Sequence, residues 1–491
     1  MIVLMAISFF TSRIMLNALG VDDYGINNVV GGLVSMFSLL SSSLSSATSR
    51  FLTFGLGKGD KDELRKIFST SVNIHVVLAI VVVVAIEAIG VWFLNHKMTI
   101  PGTRLYAANW VLQCSTISFA VGLLSIPYNA AIIAHEKMSA FAYMTLLDAA
   151  FRLGIVYSIY YYGGDKLILL AILLLLPRFI SQFIYWIYCK RTFEECTYQV
   201  VWDKKIFNDI FGFAGWNFIG CTAGLMKDQG VNIAINLFTG PAINAARGIA
   251  MQINGIVSQF INNFIIALNP QIIKDFATGE LTRMHHLIFR GTRLSYYLFM
   301  FLSIPILFET EKILYIWLGQ IPAHTVLFVR LALILSLAEI LSNALITAQL
   351  ATGKIKIYQI VVGGILLLNF PVSYLLLRIG YSPEVTILVA IVISQICLIA
   401  RLWFLRTMIQ LSARAFLKQV YVNVILVTIV ALIMPMCCYF MLKPGISRLF
   451  IICAVSACSS LASIYYVGCN RQERQLAVHY LISLKNRILR K

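Results

Sequence analysis

Fourteen apolar runs of about twenty residues each divide this chain, and the connections between them are short. A continuous apolar run of that length matches the hydrocarbon thickness of a bilayer when wound as a helix, and a chain with that many has little left over for water-soluble domains. The runs fall at 1–19, 26–54, 67–94, 105–134, 139–162 and 167–189, then at 207–238, 241–270, 287–309, 326–351, 357–378 and 385–407, with a final pair at 420–442 and 446–469. None shows the alternating ten-residue pattern of a membrane barrel strand. Helices also satisfy their own backbone polar groups, so the expected fold is an all-α integral membrane protein of about fourteen transmembrane helices. Composition agrees: 59% of the residues are hydrophobic and only 12% charged, against roughly 25% charged in a soluble domain.

The net charge of +18 points to topology, not to a nucleic-acid partner. With the N-terminus inside, most Lys and Arg of the connections fall on the cytoplasmic side, as the positive-inside rule requires. This places both termini in the cytoplasm. The basic tail "NRQERQLAVHYLISLKNRILRK" then reads as an amphipathic helix on anionic lipid. The ten cysteines show no CxxC spacing and read as small core residues, with no disulfide framework and no metal site. The first run lacks the basic flank and cleavage site of a secretory signal. Because Met1 opens directly into apolar sequence, a slightly longer natural N-terminus is expected.

The chain also echoes itself. "AISFFTSRIMLNALGVDDYGINNVVGG" has a counterpart in "VNIAINLFTGPAINAARGIA", Asn17 matching Asn236 at an offset of 219. "LLSIPYNAAIIAHEK" lines up with "ILSNALITAQLATGK" at an offset of 217, pairing Ser125 with Ser342 and Lys137 with Lys354. The charged connections "GKGDKDELRKIF" and "FATGELTRMHHLIF" lead into the third helix of each half. Two six-helix lobes in parallel repeat are expected, an N-lobe at 1–195 and a C-lobe at 196–410, with 411–491 holding two extra helices and the tail. Parallel repeats usually place a substrate path at their interface.

Three segments carry a likeness to a known family: "TSRIMLNALGVDDYGINNVVGGLVSMFSLLSSSLSSATSRFLTFGLGKGD", "AIIAHEKMSAF" and "KILYIWLGQIP". They resemble the Wzx-type polysaccharide flippases of the multidrug, oligosaccharidyl-lipid and polysaccharide exporter superfamily, the likeness running from residue 1 to about 407. The resemblance implies a carrier in a bacterial inner membrane. It would move an undecaprenyl pyrophosphate-linked oligosaccharide to the outer leaflet by alternating access, for export of a surface polysaccharide such as O-antigen or capsule. It implies a lipid-linked oligosaccharide and membrane lipids as partners, with a polysaccharide polymerase and a chain-length regulator as further partners of the pathway. The last two helices resemble the pair that lines a lipid-tail groove in the related lipid II flippases.

Ionisable residues inside apolar helices cost free energy unless something compensates them, which makes them site candidates. Arg13, Arg50, Lys227 and Arg247 are the cationic ones put forward for the substrate. Guanidinium binds phosphate oxygens bidentately and stays charged, so a pyrophosphate would compensate them. The lipid II flippases use cavity arginines on their first two helices, and that resemblance extends here to Arg13 and Arg50 only. For each of these cations the bland reading is a backbone or polar neighbour, or snorkelling toward a helix end. Glu87, Asp148, Asp228 and Glu339 are the candidates for ion coupling, Glu87 and Glu339 reading as unpaired acids. Asp148 and Arg152 stand four apart on one helix and either neutralise each other or meet substrate. Lys227 and Asp228 are adjacent, so their side chains diverge. The serine-rich run 38–49 either packs helices closely or wets a cavity, and Pro127, Pro177, Pro305, Pro371 and Pro435 are expected to kink their helices.

No phosphate-binding loop GxxxxGK[ST] and no HExxH occurs, so no catalytic centre and no cofactor is expected. The rival readings are a drug exporter of organic cations on the same fold, which would favour cavity carboxylates, and a membrane polysaccharide polymerase or ligase. The latter usually carries a long periplasmic loop that this chain lacks.

Overall fold

In the computed structural model of the protein, residues 2–98, 100–471 and 473–475 are described, except for the side chains of 2–13, 16, 17, 21, 22, 28, 160 and 241. The fold is all-helical among those residues. Helix α1 runs Ile2–Ser35 and leaves helical geometry at Gly20, whose φ of 80° and ψ of 172° suit a residue without a Cβ. It is followed by α2 (Ser38–Lys58) and by α3 (Lys61–Ala85), which passes through a π turn at Ile86–Gly90 into Val91–His96. Then come α4 (Leu105–Ala134), α5 (Met138–Tyr161) and α6 (Lys166–Thr192). Helices α7 (Lys204–Thr239) and α8 (Pro241–Ala277) lead to α9 (Leu281–Phe308), the short α10 (Thr310–Leu318) and α11 (Thr325–Ala351). Last are α12 (Lys356–Leu367), α13 (Asn369–Ile379), α14 (Val385–Ile409), α15 (Val422–Met441) and α16 (Ile446–Ser463).

Local chemistry sets many of these boundaries. Asp60 and Asp165 cap α3 and α6, each carboxylate accepting two backbone N–H groups of the first turn, which satisfies donors that have no partner within the helix. Near Pro371 the α-helical hydrogen bonding is interrupted at Leu368, between α12 and α13, while Leu368 keeps right-handed helical dihedrals and the two run on as one apolar span, proline supplying no N–H to the preceding turn. Pro127, Pro177, Pro305 and Pro435 lie inside helices that continue past them without a break.

Eleven helices among the described residues are long and apolar enough to cross a membrane, and a bent pair, Asp23–Ser35 with Ser38–Lys58, makes twelve. The chain is a multi-pass membrane protein. Two expectations need correction. The second apolar run is not one straight helix: it breaks between Ser35 and Ser38 with a bend of 47°. Helix α7 forms in full but does not pass as a span among the described residues, because Asn217, Lys227, Asp228 and Asn232 interrupt its apolar surface.

The chain divides into two compact units, one of residues 1–222 with 273–280, the other of 223–272 with 281–491. In the first, α4 packs on α2, α3 and α6, while α1 packs on α4 and α5. Its core joins Ile26, Val30 and Val34 of α1 to Val82 and Ile86 and to Val111 and Leu112 of α4. A second cluster sets Phe68 edge-on to Tyr128, ring centroids 5.3 Å apart.

The second unit repeats this pattern. Helix α11 packs on α9 and α14, and α14 also receives α12 and α13. Asn254 and Asn269 of α8 accept hydrogen bonds from Ser336 and Thr347 of α11 at 2.8 and 2.7 Å. Phe238 of α7 packs edge-on to Tyr374 of α13 at 5.1 Å. The repeat extends to single turns: α4 ends at Ala134 and α11 at Ala351, 217 residues apart. The left-handed turn residues that follow, Glu136 and Gly353, keep that offset with φ of 58° and 73°. Helices α15 and α16 pack on each other and on α9.

Candidate functional site: a charged cavity in the first unit

A cavity of about 660 Å³ opens within the first unit. Its walls come from α1 (Met15, Asn27, Gly31, Ser35), α2 (Ser41), α4 (Ser115, Ser118, Gly122), α5 (Asp148, Arg152, Ile155) and α6 (Leu170, Pro177, Arg178). That volume lies in the range of small-molecule sites, about 300–1,000 Å³. Small residues on α1 and α4 leave the space open, and α4, α5 and α6 are each long and apolar enough to cross a membrane.

The charges are arranged differently from the local pairing that the four-residue spacing suggests. Asp148 and Arg152 form no ion pair. Instead Ser181 of α6 donates its hydroxyl to Asp148 Oδ1 at 2.6 Å. Arg152 and Arg178 are both exposed residues of the cavity wall, and neither forms an ion pair among the described residues. The cavity therefore presents two guanidinium groups and one carboxylate that already accepts a hydrogen bond. Two guanidinium groups in one cavity wall offer planar donors of the kind that an anion with several oxygens accepts from.

The other candidates lie elsewhere. Helix α1 carries Arg13, but its side chain is outside the described residues. Arg50 of α2 is buried, and its guanidinium lies 4.6 Å from the Phe51 ring and 4.7 Å from that of Phe54, with Phe213 at 5.8 Å. Aromatic faces attract such a cation, so Arg50 has protein compensation without substrate. Glu87 is exposed in the π turn of α3 and accepts a hydrogen bond from Gln113 Nε2 at 3.0 Å.

In the second unit, Lys227 of α7 reaches Glu339 of α11, Nζ to Oε1 2.7 Å, with Asp228 Oδ1 3.7 Å away. The Lys227 side chain is 13% exposed, Glu339 41% and Asp228 61%. Glu339 thus has a cationic partner, contrary to its reading as an unpaired acid. The two are 112 residues apart, which no local pattern in the sequence reveals. Asp228 points outward, as the divergence of adjacent helical positions requires. Arg247 of α8 is buried and donates to Asn232 Oδ1 of α7.

Further charge networks lie at helix ends. Arg104 donates to Asp23 and Asp165, joining the starts of α4 and α6 to the turn region of α1. His135 Nε2 donates to Glu195 Oε1 at 2.5 Å, its ring stacked on Phe193 with centroids 4.0 Å apart. Burial pushes the Glu195 carboxyl up, but the hydrogen bonds from His135 and the backbone outweigh it and hold the group below the usual carboxylate range. Glu384 behaves in the same way beside His324. Among the described residues, no three His, Cys, Asp or Glu side chains gather to hold a metal ion.

The sequence singled out Asp148, left open whether Arg152 pairs with it or meets substrate, and did not put Arg178 forward for the site. The signal available was the absence of any second carboxylate on α5 or in the apolar part of α6 to neutralise the two arginines.

No family model and no curated protein matches the sequence. Solved structures do. A MATE crystal structure in the straight conformation superposes with a TM-score of 0.72 at 12% identity, over 85% of this chain and 95% of that one. An outward-facing multidrug resistance MATE family transporter of the MOP superfamily gives 0.70 at 13% identity, over 84% and 94%. A MOP superfamily transporter from Pyrococcus furiosus, described as having a binding pocket of reverse polarity that suggests a different function, gives 0.71 at 12% identity, over 84% and 93%. The protein has the fold of the MATE transporters of the MOP superfamily. It is a multi-pass membrane protein of that architecture with two cationic side chains in the cavity of its first unit.

Proposed function

We propose that this protein is a flippase that carries an undecaprenyl pyrophosphate-linked oligosaccharide across a bacterial inner membrane by alternating access, with its termini in the cytoplasm. The observation that carries the reading is the charge of the first-unit cavity: Arg152 and Arg178 without an ion-pair partner among the described residues, against the single carboxylate of Asp148. A pyrophosphate would offer both guanidinium groups paired oxygens, in place of the hydration they lose in an apolar wall. The polyprenyl tail, being hydrocarbon, would remain in lipid. The resemblance of three sequence segments to polysaccharide flippases supports the same choice.

The second reading is a cation-coupled exporter of organic cations. Asp148 in the cavity wall favours it, as does the multidrug resistance transporter among the structural neighbours. Two arginines beside that carboxylate oppose it, since they would repel a cationic drug.

Proteoliposomes separate the two readings. Wild-type protein should transfer a fluorescent polyprenyl pyrophosphate oligosaccharide between leaflets, and Arg152→Ala or Arg178→Ala should slow transfer about 10- to 100-fold, the loss of one or two charge-assisted hydrogen bonds. Uptake of tetraphenylphosphonium by the wild type, with no lipid transfer, would replace the flippase with the exporter.

A further inference from the structure

Beside the main cavity lies a smaller chamber of about 230 Å³, which shares Gly122, Asp148 and Arg178 with it. Its remaining wall is polar for a site among membrane helices: Ser125 and Asn129 of α4, Thr145 of α5, and Ser181, Gln182 and Tyr185 of α6. We propose that this chamber is a subsite for one sugar ring of the cargo. The inference rests on the reading of the main cavity as a cargo site and deepens it.

The hydroxyl protons decide what the chamber offers. Ser125 donates to the Gly122 carbonyl at 2.6 Å, Thr145 to the Phe141 carbonyl at 2.8 Å and Ser181 to Asp148 at 2.6 Å. Each serine and threonine hydroxyl has therefore committed its one proton to the protein and offers only lone pairs to an occupant. Two more oxygens, Asn129 Oδ1 and Gln182 Oε1, are buried and have no hydrogen-bond partner among the described residues. Buried acceptors left in this state cost free energy and call for a donor.

Three kinds of occupant can be weighed. A cation would meet Asp148 but also the Arg178 guanidinium in the same wall. An anion would suit Arg178 but meet Asp148 and a row of acceptor oxygens. A neutral polyol satisfies both, its hydroxyls donating to the amide, serine and threonine oxygens and accepting from Arg178 and the Tyr185 hydroxyl. The Phe141 and Tyr185 side chains supply apolar surface for the C–H face of a ring. The chamber has the volume of one ring with little room for more, so the rest of an oligosaccharide would extend into the larger cavity.

Saturation-transfer NMR on detergent-purified protein tests this with free methyl hexosides and methyl N-acetylhexosaminides, using no lipid, phosphate or gradient. At least one glycoside should give a saturable signal. Gln182→Leu and the near-isosteric Thr145→Val should each weaken it about fivefold or more, the loss of one hydrogen bond, while the exposed Lys61→Ala leaves it unchanged. Absence of a saturable signal for every glycoside, or equal affinities in wild type, Gln182→Leu and Thr145→Val, overturns the subsite. Glycoside binding by a chain that fails to flip pyrophosphate lipid would end the flippase reading and leave the sugar chamber standing. Flipping without glycoside binding would do the reverse.

Discussion

Removing Glu339 isolates a buried ammonium, and the cost of that isolation can be worked from the geometry. Lys227 Nζ and Glu339 Oε1 are 2.7 Å apart. Their Coulomb attraction is about 6 kcal/mol at an effective dielectric of 20 and about 1.5 kcal/mol in water. Lys227 is 13% exposed and Glu339 41%, so the pair lies between a buried bridge, whose breakage costs about 3–5 kcal/mol, and an exposed one worth about 0–1 kcal/mol. Asp228 at 3.7 Å retains part of the compensation. A net loss of about 2 kcal/mol is expected for Glu339→Gln, or a fall in Tm of about 4 to 8 °C if the unit unfolds cooperatively. Thermal unfolding of the detergent-solubilised protein measures it, and the cycle with Lys227→Met and the double variant isolates the pair. The double variant should recover most of the loss, because the charge it leaves, Asp228, is 61% exposed. A coupling energy under about 0.5 kcal/mol would refute the reasoning, since it would mean that Lys227 reaches water or another partner as easily as it reaches Glu339.

Other outcomes follow from the same packing and electrostatics. The Glu195 carboxyl is held below its ordinary value of 4.5, so its contribution is whole above about pH 4.5 and is lost as the pH falls through the depressed folded value. Glu195→Gln should therefore destabilise the protein by about 1–2 kcal/mol near pH 7, and the gap from wild type should close in unfolding curves taken on acidification below pH 4.5. Gly57 packs so closely that an added Cβ would meet the Ala277 Cβ at 2.7 Å and the Lys274 backbone at 3.3 Å; Gly57→Ala should cost about 1–3 kcal/mol by overpacking, visible as a lower Tm. At Gly20, where φ is 80° and ψ 172°, Gly20→Ala should cost about 1–3 kcal/mol of backbone strain, although among the described residues no atom stands within 4 Å of the added methyl.

What the sequence disclosed and what it withheld follow from the range of the interactions. An apolar run reports a helix because its twenty residues are neighbours in the chain, and the repeat is legible because two such sets recur in register, down to Glu136 and Gly353 in matching turns. The break of the second run at Met36 and Phe37 was not legible, since neither residue is a helix breaker. Charge pairing failed where the true partner was remote. Asp148 has Arg152 four residues away, yet bonds to Ser181 on the next helix. Glu339 looked unpaired because Lys227 is 112 residues distant. An i,i+4 spacing grants proximity of Cβ atoms and nothing more; the rotamer and the neighbouring helix decide which group is met.

The same distinction separates the charges of the two units. In the second unit the intramembrane cations are compensated within the protein: Lys227 by Glu339, Arg247 by Asn232, and Arg401 by the hydroxyls of Ser342 and Tyr358 at 3.0 and 3.3 Å. In the first unit Arg50 is compensated by aromatic faces, but Arg152 and Arg178 stand in a cavity wall without an ion-pair partner among the described residues. Among the described residues, the three named cations of the second unit thus meet protein groups, whereas the first unit turns two guanidinium groups to a cavity. If so, neutralising Arg152 or Arg178 should change transport with little loss of thermal stability, whereas neutralising Glu339 should lower stability first. The opposite order, with stability collapsing on Arg178→Ala and transport tracking Glu339 alone in a protein that unfolds normally, would move the cargo site out of the first unit.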